Sequence, residues 1–191
     1  MEKLKSILDE LIAPTSNEWS SFAQKLNRKE FAAKTTILRE GIIAGDIYFI
    51  KSGLLRAYHL QDGKEINTYF ACDGQFISIF SSFITQSPSL EYLEAIEDSL
   101  VYSLSFEMLS VLYKESPKFE KLGRIIAEKN FLCVIDRTLT MQTKTAKEKY
   151  LDFIKKYEKK IVQQVPQLQI ASFLGIAPES LSRVRKEISV S

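Results

Sequence analysis

A chain of 191 residues is long enough for one large domain or two small ones, each with a buried core. Hydrophobic content of 45% and charged content of 26% are ordinary for a soluble globular protein, and the absence of a run of about 18 apolar residues argues against a membrane helix. Met1-Glu-Lys-Leu-Lys lacks the apolar core of a signal peptide, so a cytoplasmic protein without a membrane partner is expected. The net charge of +2 conceals an asymmetry. Residues 144–191 carry ten Lys/Arg against five Asp/Glu, whereas residues 1–143 carry sixteen against nineteen. A basic end on an acidic body suggests that the C-terminal part meets nucleic acid.

From Met1 to Asn27, the apolar residues Leu4, Ile7, Leu8 and Leu11, then Trp19, Phe22 and Leu26, recur at helical spacing. Pro14 divides them, which predicts a short helical pair. From about Glu30 to Leu104, short runs rich in Ile, Tyr, Phe and Val alternate with Gly41, Gly45, Gly53, Gly63 and Gly74. Asp62-Gly63 between Leu54–Gln61 and Lys64–Ala71 predicts a hairpin. Regularly spaced short strands of this kind predict a β-roll or jelly roll. Tyr69, Phe70, Phe76, Phe80 and Tyr92 suggest an aromatic-lined cavity within it, the competing reading being plain core.

Ser105–Tyr113 reads as a short helix. Ser116-Pro117 is a strong start for a long one reaching about Gln142, with Ser as cap and Pro at the first position. One apolar stripe comprises Ile125, Leu132, Ile135 and Leu139; another comprises Leu122, Ile126 and Cys133. A helix apolar on two sides must bury two sides. The seven-residue repeat of Ile125, Leu132 and Leu139 points to pairing with a second copy, the alternative being that both stripes pack within one chain. A further helix is expected over Lys144–Lys160, with Tyr150, Leu151, Ile154 and Tyr157 inward.

In the last segment, Ile170, Ala171 and Leu174 give helical spacing, Gly175 breaks the helix and Pro178 opens another. The second helix places Leu181 and Val184 on one face and Glu179, Ser180, Ser182, Arg183 and Lys186 around the rest. Two short helices joined by a Gly turn, the second polar and basic, read as a helix-turn-helix whose partner is duplex DNA.

Catalysis and metal binding find little support. Cys72 and Cys133 lie far apart and read as reduced core thiols. With His59 as the single histidine they complete no iron–sulfur, zinc or cupin-type ligand set. Without a Gly-x-Ser-x-Gly elbow either, no enzyme, metal or cofactor is expected.

The order of elements, with Gly45-Asp-Ile-Tyr-Phe-Ile-Lys-Ser-Gly53 followed by Arg56 and with Ile170-Ala-Ser-Phe-Leu-Gly-Ile-Ala-Pro-Glu-Ser-Leu-Ser-Arg183, resembles the Crp/Fnr family of bacterial transcription regulators. The recognition helix looks most like those of the short Bacteroidetes-type members. The resemblance spans essentially the whole chain. It implies an α+β fold: a cyclic-nucleotide-binding-like β-roll sensor with flanking helices (1–116), a long dimerisation helix (117–143) and a helical helix-turn-helix domain (144–191). It also implies a homodimer on operator DNA, RNA polymerase as a further partner, and a small-molecule effector of unknown identity.

Carried over residue by residue, the resemblance assigns phosphate contact to Gln167 at the start of the first motif helix. It assigns groove contact to Pro178, Glu179, Ser180, Ser182, Arg183 and Lys186. Glu179 can accept from cytosine N4 and Arg183 can pair with guanine O6 and N7; the competing reading is a solvated Glu179–Arg183 salt bridge. Related helices often carry Arg where Pro178 stands. The sequence ends at Ser191, three residues after Ile188, so no β-hairpin wing is expected.

The phosphate cassette of nucleotide-binding relatives departs further. Its first half reads Gly74-Gln75-Phe76, with Gln in place of Glu, and its second half falls within Pro88–Ala95, which holds Glu91 and Glu94 but no Arg or Lys. Coulomb repulsion therefore disfavours cyclic AMP. A non-DNA ligand- or protein-binding module with a vestigial helix-turn-helix is the alternative reading.

Overall fold

The computed structural model describes residues 1–189. The chain opens with α1 (Glu2–Ile12) and α2 (Ser16–Gln24), separated at Pro14 as the sequence predicts. Thr15 caps α2 through a reciprocal box: its side chain accepts from the Glu18 amide while Glu18 accepts from the Thr15 amide.

Eight strands then build two four-stranded antiparallel sheets. They are β1 (Asn27–Phe31), β2 (Thr36–Leu38), β3 (Asp46–Ser52), β4 (Leu54–Gln61), β5 (Lys64–Cys72), β6 (Phe76–Ile77), β7 (Tyr92–Ala95) and β8 (Ser99–Ser105). One sheet has the order β1-β8-β3-β6, the other β2-β7-β4-β5. The β4–β5 hairpin turns at Asp62 and Gly63, both with positive φ (52° and 74°), the backbone that a tight two-residue hairpin demands.

Between the sheets lie Tyr48, Ile50, Leu55, Ala57, Ala71, Ile77, Leu93 and Val101. A short helix that sequence periodicity does not reveal, α3 (Phe80–Thr85), sits on the roll with Phe83 buried. On the outer side of the first sheet, Phe49 and Leu104 pack with Leu4, Leu8, Phe22, Leu112, Phe119 and Leu122. These last residues come from α1, α2, α4 (Phe106–Glu115) and α5 (Pro117–Thr143). Ser105 and Ser116 cap the last two helices, each accepting from a backbone amide of the first turn.

The C-terminal part comprises α6 (Ala146–Lys156), α7 (Lys159–Gln164), α8 (Gln167–Leu174) and α9 (Pro178–Ser189). The single helix expected over Lys144–Lys160 is two, because the backbone leaves the helix at Tyr157, which is extended (φ −97°, ψ 147°). The inward face also differs. Leu151 and Ile154 remain 44% and 39% exposed, and Phe153 is buried between Tyr150 and Tyr157 instead. Residues 150, 153 and 157 and residues 150, 154 and 157 both fit helical spacing; the rings of Tyr157 and Phe173, packed on Phe153, select the first set.

This helical part does not stand apart from the roll. Leu54, Phe70 and Cys72 of the roll share one core with Tyr150, Phe153, Ile161, Ile170, Phe173 and Leu181.

Candidate nucleic-acid interface and ligand cleft

The interface begins with Gln167, the first residue of α8. Gly175 ends that helix at φ 61°, a left-handed cap natural to glycine, and its amide closes onto the Ser172 carbonyl at 3.1 Å. Ile170, Ala171, Phe173 and Leu174 are buried in α8, and Leu181 and Val184 anchor α9 against it. With those two anchors inward, Pro178, Glu179, Ser182, Arg183 and Lys186 are exposed along α9, and Ser180 is half-buried. Among the described residues no ion pair joins Glu179 to Arg183. Both side chains therefore stay available to a partner.

How α8 is held is a feature that sequence reasoning missed. Strand β5 lies at the edge of its sheet, and an edge strand presents unpaired amides and carbonyls. Ser172 of α8 answers two of them: its hydroxyl accepts from the Asn67 amide at 3.0 Å and donates to the Glu65 carbonyl at 2.7 Å. Between Ala57 and Tyr58 the pairing with β5 jumps from Tyr69 to Asn67, so Thr68 has no partner across the ladder. Such a bulge turns backbone groups away from the sheet. Arg137 of α5 takes up the carbonyls there, donating to Thr68 O at 2.8 Å and Asn67 O at 3.0 Å. The same guanidinium donates to Phe173 O of α8 at 3.2 Å and stacks over the Phe173 ring, 4.4 Å from its centroid. One side chain thus ties roll, long helix and helix-turn-helix together. Lys160 of α7 adds an ion pair with Asp73 at 3.0 Å and another with Glu97.

Arg137 also borders a cleft of about 590 Å³ between the roll and α5. Tyr69, Gly74, Gln75, Phe76 and Phe80 line it. Phe70 and Tyr92 do not. Successive residues of a strand face opposite sides, so with Tyr69 on the inner core, Phe70 turns outward onto Phe173, 5.2 Å between ring centroids. Tyr92 stacks on Tyr58 at 5.1 Å.

The inner stripe of α5 runs Phe119, Leu122, Ile126, Asn130, Cys133 and Arg137, a spacing of three or four throughout, and its last four members line the cleft. Cys133 is exposed rather than a core thiol, because α5 has by then run past the apolar core beneath it; Cys72 is buried as expected. Gln75 is turned back on the chain, its side-chain carbonyl accepting from the Cys72 amide at 3.0 Å. Glu91 lines the cleft and accepts from the Thr68 hydroxyl. Glu94 is held by Arg56 at 3.0 Å. Arg56 is itself buried and also bonds Glu65 and Asn67, so its charge is fully answered within the roll. His59 is half-buried on β4, with Nδ1 2.7 Å from the Leu90 carbonyl oxygen.

On the opposite side of α5, Ile125 is half-buried, while Leu132, Ile135 and Leu139 are exposed by 64%, 43% and 55%. Phe131 and Val134 extend that patch. Among the described residues no helix is long and apolar enough to cross a membrane.

Known proteins agree with this geometry. Residues 28–116 match the family model for the cyclic nucleotide-binding domain. The chain is 23% identical to the anaerobic regulatory protein of Haemophilus influenzae over 171 residues, covering 83% of this chain and 66% of the relative, just under two thirds of its length. Among solved structures, FixK2 from Bradyrhizobium japonicum superposes with a TM-score of 0.75 at 18% identity, over 86% of this chain and 85% of that one. A transcriptional regulator of the Crp/Fnr family from Eubacterium rectale gives 0.70 at 21% identity, over 93% and 84%. The global regulator CLP of Xanthomonas campestris, described as responsive to cyclic di-GMP, gives 0.68 at 18% identity, over 92% of each chain. These structures share the fold of this chain, a β-roll followed by a long helix and a helical C-terminal part.

Proposed function

We propose that the protein is a homodimeric, DNA-binding transcription regulator whose β-roll senses a small molecule. The observation that carries this reading is α9: anchored by Leu181 and Val184, it leaves Glu179, Ser182, Arg183 and Lys186 outward on a packed helix-turn-helix. An α-helix so presented fits the major groove of duplex DNA, where Arg183 can fork onto guanine. The outward face of α5 supplies the dimer. Burying Leu132, Ile135 and Leu139 against their copies removes apolar surface from water and sets two α9 helices about one DNA turn apart, roughly 34 Å.

Selection of duplexes from a random pool, followed by binding measurements across salt, tests the reading. The expected result is an enriched two-fold-symmetric site and a log–log salt slope set by the phosphates neutralised. No enrichment at any salt would favour the alternative, an interaction module that does not bind DNA.

The sensor reading carries a negative expectation for cyclic AMP. Glu91 sits in the cleft, Arg56 is already committed to Glu65 and Glu94, and among the described residues no arginine of the roll lines the cleft to meet a cyclic phosphate. Calorimetry with cyclic AMP should show no micromolar binding; a micromolar isotherm would overturn this.

A further inference from the structure

Arg137 makes no ion pair among the described residues, and Glu91 of the same cleft acts on it only at a distance. Among the described residues no carboxylate lies within ion-pair distance of it, although Arg56, Lys160 and Lys118 each have one or more. Its surroundings are desolvating, enough to lower its pKa, and its Nε–H is shielded from solvent with no hydrogen-bond partner. Three carbonyls and one aromatic face hold the rest of the guanidinium. A guanidinium has five donors and retains its charge in proteins, so a half-buried one with a shielded, idle donor and no ion-pair partner is a costly arrangement.

The space next to it is open. Arg137 lines the 590 Å³ cleft and two adjoining cavities of about 240 and 230 Å³. Lys129, two turns earlier on α5, lines the same cleft, and Glu91, occupied by Thr68, is its one carboxylate among the described residues. Two cations against one carboxylate give the cleft a net positive lining. The remaining wall is largely apolar, with Ile7, Leu11, Ile47, Phe76 and Phe80.

We propose that Arg137 is the anion receptor of this cleft, and that the ligand is a small organic oxyanion with an apolar body. Its carboxylate or phosphate pairs with the guanidinium while its hydrocarbon part lies on Phe76, Phe80 and Ile47. The receptor is on the long helix rather than on the roll, because Arg56 is neutralised within the roll and the cleft's arginine among the described residues is Arg137. Pairing has a structural consequence. The guanidinium that turns to the ligand is the one that holds the Phe173 carbonyl, so anion binding draws against the contact that fixes α8 on β5. The ligand and the docking of the DNA-binding motif are then linked through one side chain, and what either does to the other must be reciprocal. The biological meaning of this link rests on the regulator reading above; its test does not.

The full-length protein, 15N-labelled, is titrated with 3-phenylpropanoate, phenyl phosphate and the uncharged 3-phenylpropanamide, while the Arg137 Nε–Hε resonance is followed. Arg137→Lys identifies that resonance by its loss. Both anions, or one of them, should shift it saturably, with the amide about tenfold or more weaker, the loss expected when a charge-assisted pair is removed. Exchange of the Ser172–Gly175 amides should quicken severalfold in the bound state. In Arg137→Gln, anion affinity should fall about tenfold or more, and in Arg137→Lys it should fall less, since the ammonium keeps the charge but not the fork. An unmoved resonance, equal response to anion and amide, or undiminished anion binding by a folded Arg137→Gln protein would each overturn the proposal. None of these readings involves DNA, so failure here and failure of the regulator reading are separate results.

Discussion

The two halves of α5 carry large apolar side chains alike and meet opposite fates. Phe119 and Leu122 are 1% and 4% exposed, clamped between α1, α4 and the outer face of the roll. Phe131, Leu132, Val134, Ile135 and Leu139, a few turns on, are exposed by 43% or more. Neither helix propensity nor hydrophobicity separates the halves. What separates them is supply: the N-terminal helices and the roll cover the first half, and among the described residues no element of the same chain covers the outward side of the second. An exposed apolar patch of this kind marks an interaction surface. One helix is thus core at one end and an uncovered apolar face at the other, its inner stripe passing from Phe119 to Arg137 as it leaves the core for the cleft.

The sharpest way to break this comparison is to truncate one side chain in each half. Phe119→Ala should destabilise the fold by about 3–5 kcal/mol, read by urea denaturation, because it empties a fully packed aromatic site stacked on Phe22. Leu132→Asp should leave the stability of the single chain within about 0.5 kcal/mol. It should instead weaken self-association by on the order of 2 kcal/mol, roughly thirtyfold, in sedimentation equilibrium. Equal loss of stability in both variants would dissolve the distinction between the halves.

Next in size is Arg183→Ala. It should reduce affinity for the selected site by about 1–3 kcal/mol and relax preference at one base pair, while leaving self-association through α5 intact. Unchanged binding and unchanged preference would remove α9 as the reading element.

The smallest effect concerns the packed half again. Glu18 accepts from the Ser116 hydroxyl at 2.6 Å and the Thr15 amide at 2.7 Å, and pairs with Lys118 at 3.1 Å, tying α2 to the cap of α5. These bonds, led by that from Ser116, hold its carboxyl down at about 2 against an ordinary 4.5. A depressed carboxyl contributes stability that is complete above its unfolded pKa and is lost as pH falls toward its folded one. Between about pH 4.5 and 2 the parent protein should therefore lose stability that Glu18→Gln does not lose, a difference visible in acid unfolding followed by circular dichroism.

Much of the architecture is legible in short stretches of sequence. Asp62-Gly63 marks its hairpin because both positions must take positive φ, and Ser116-Pro117 marks the start of α5 because cap and first position have their own chemistry. Pro14 and Gly175 punctuate for the same local reasons. The split at Tyr157, the inward turn of Phe153 and the helix over Phe80–Thr85 are not legible, since the competing readings satisfy the same spacing. In the site, α9 can be read from its anchors and polar face. The cleft can be read only in part: strand alternation sends Tyr69 and Phe70 to opposite sides, and a set of aromatic residues carries no register.

Caps, prolines and glycine turns in the sequence set several element boundaries and the polar face of α9, because those signals act within a few residues. Tertiary structure alone decided that the edge of β5 is closed by Ser172, more than a hundred residues away, and that Arg137 reaches carbonyls 70, 69 and 36 positions distant. Such contacts depend on the bulge at Thr68 and on the docking of three segments at once. The shielded, unmet Nε donor of Arg137 becomes visible only when its neighbours are in place.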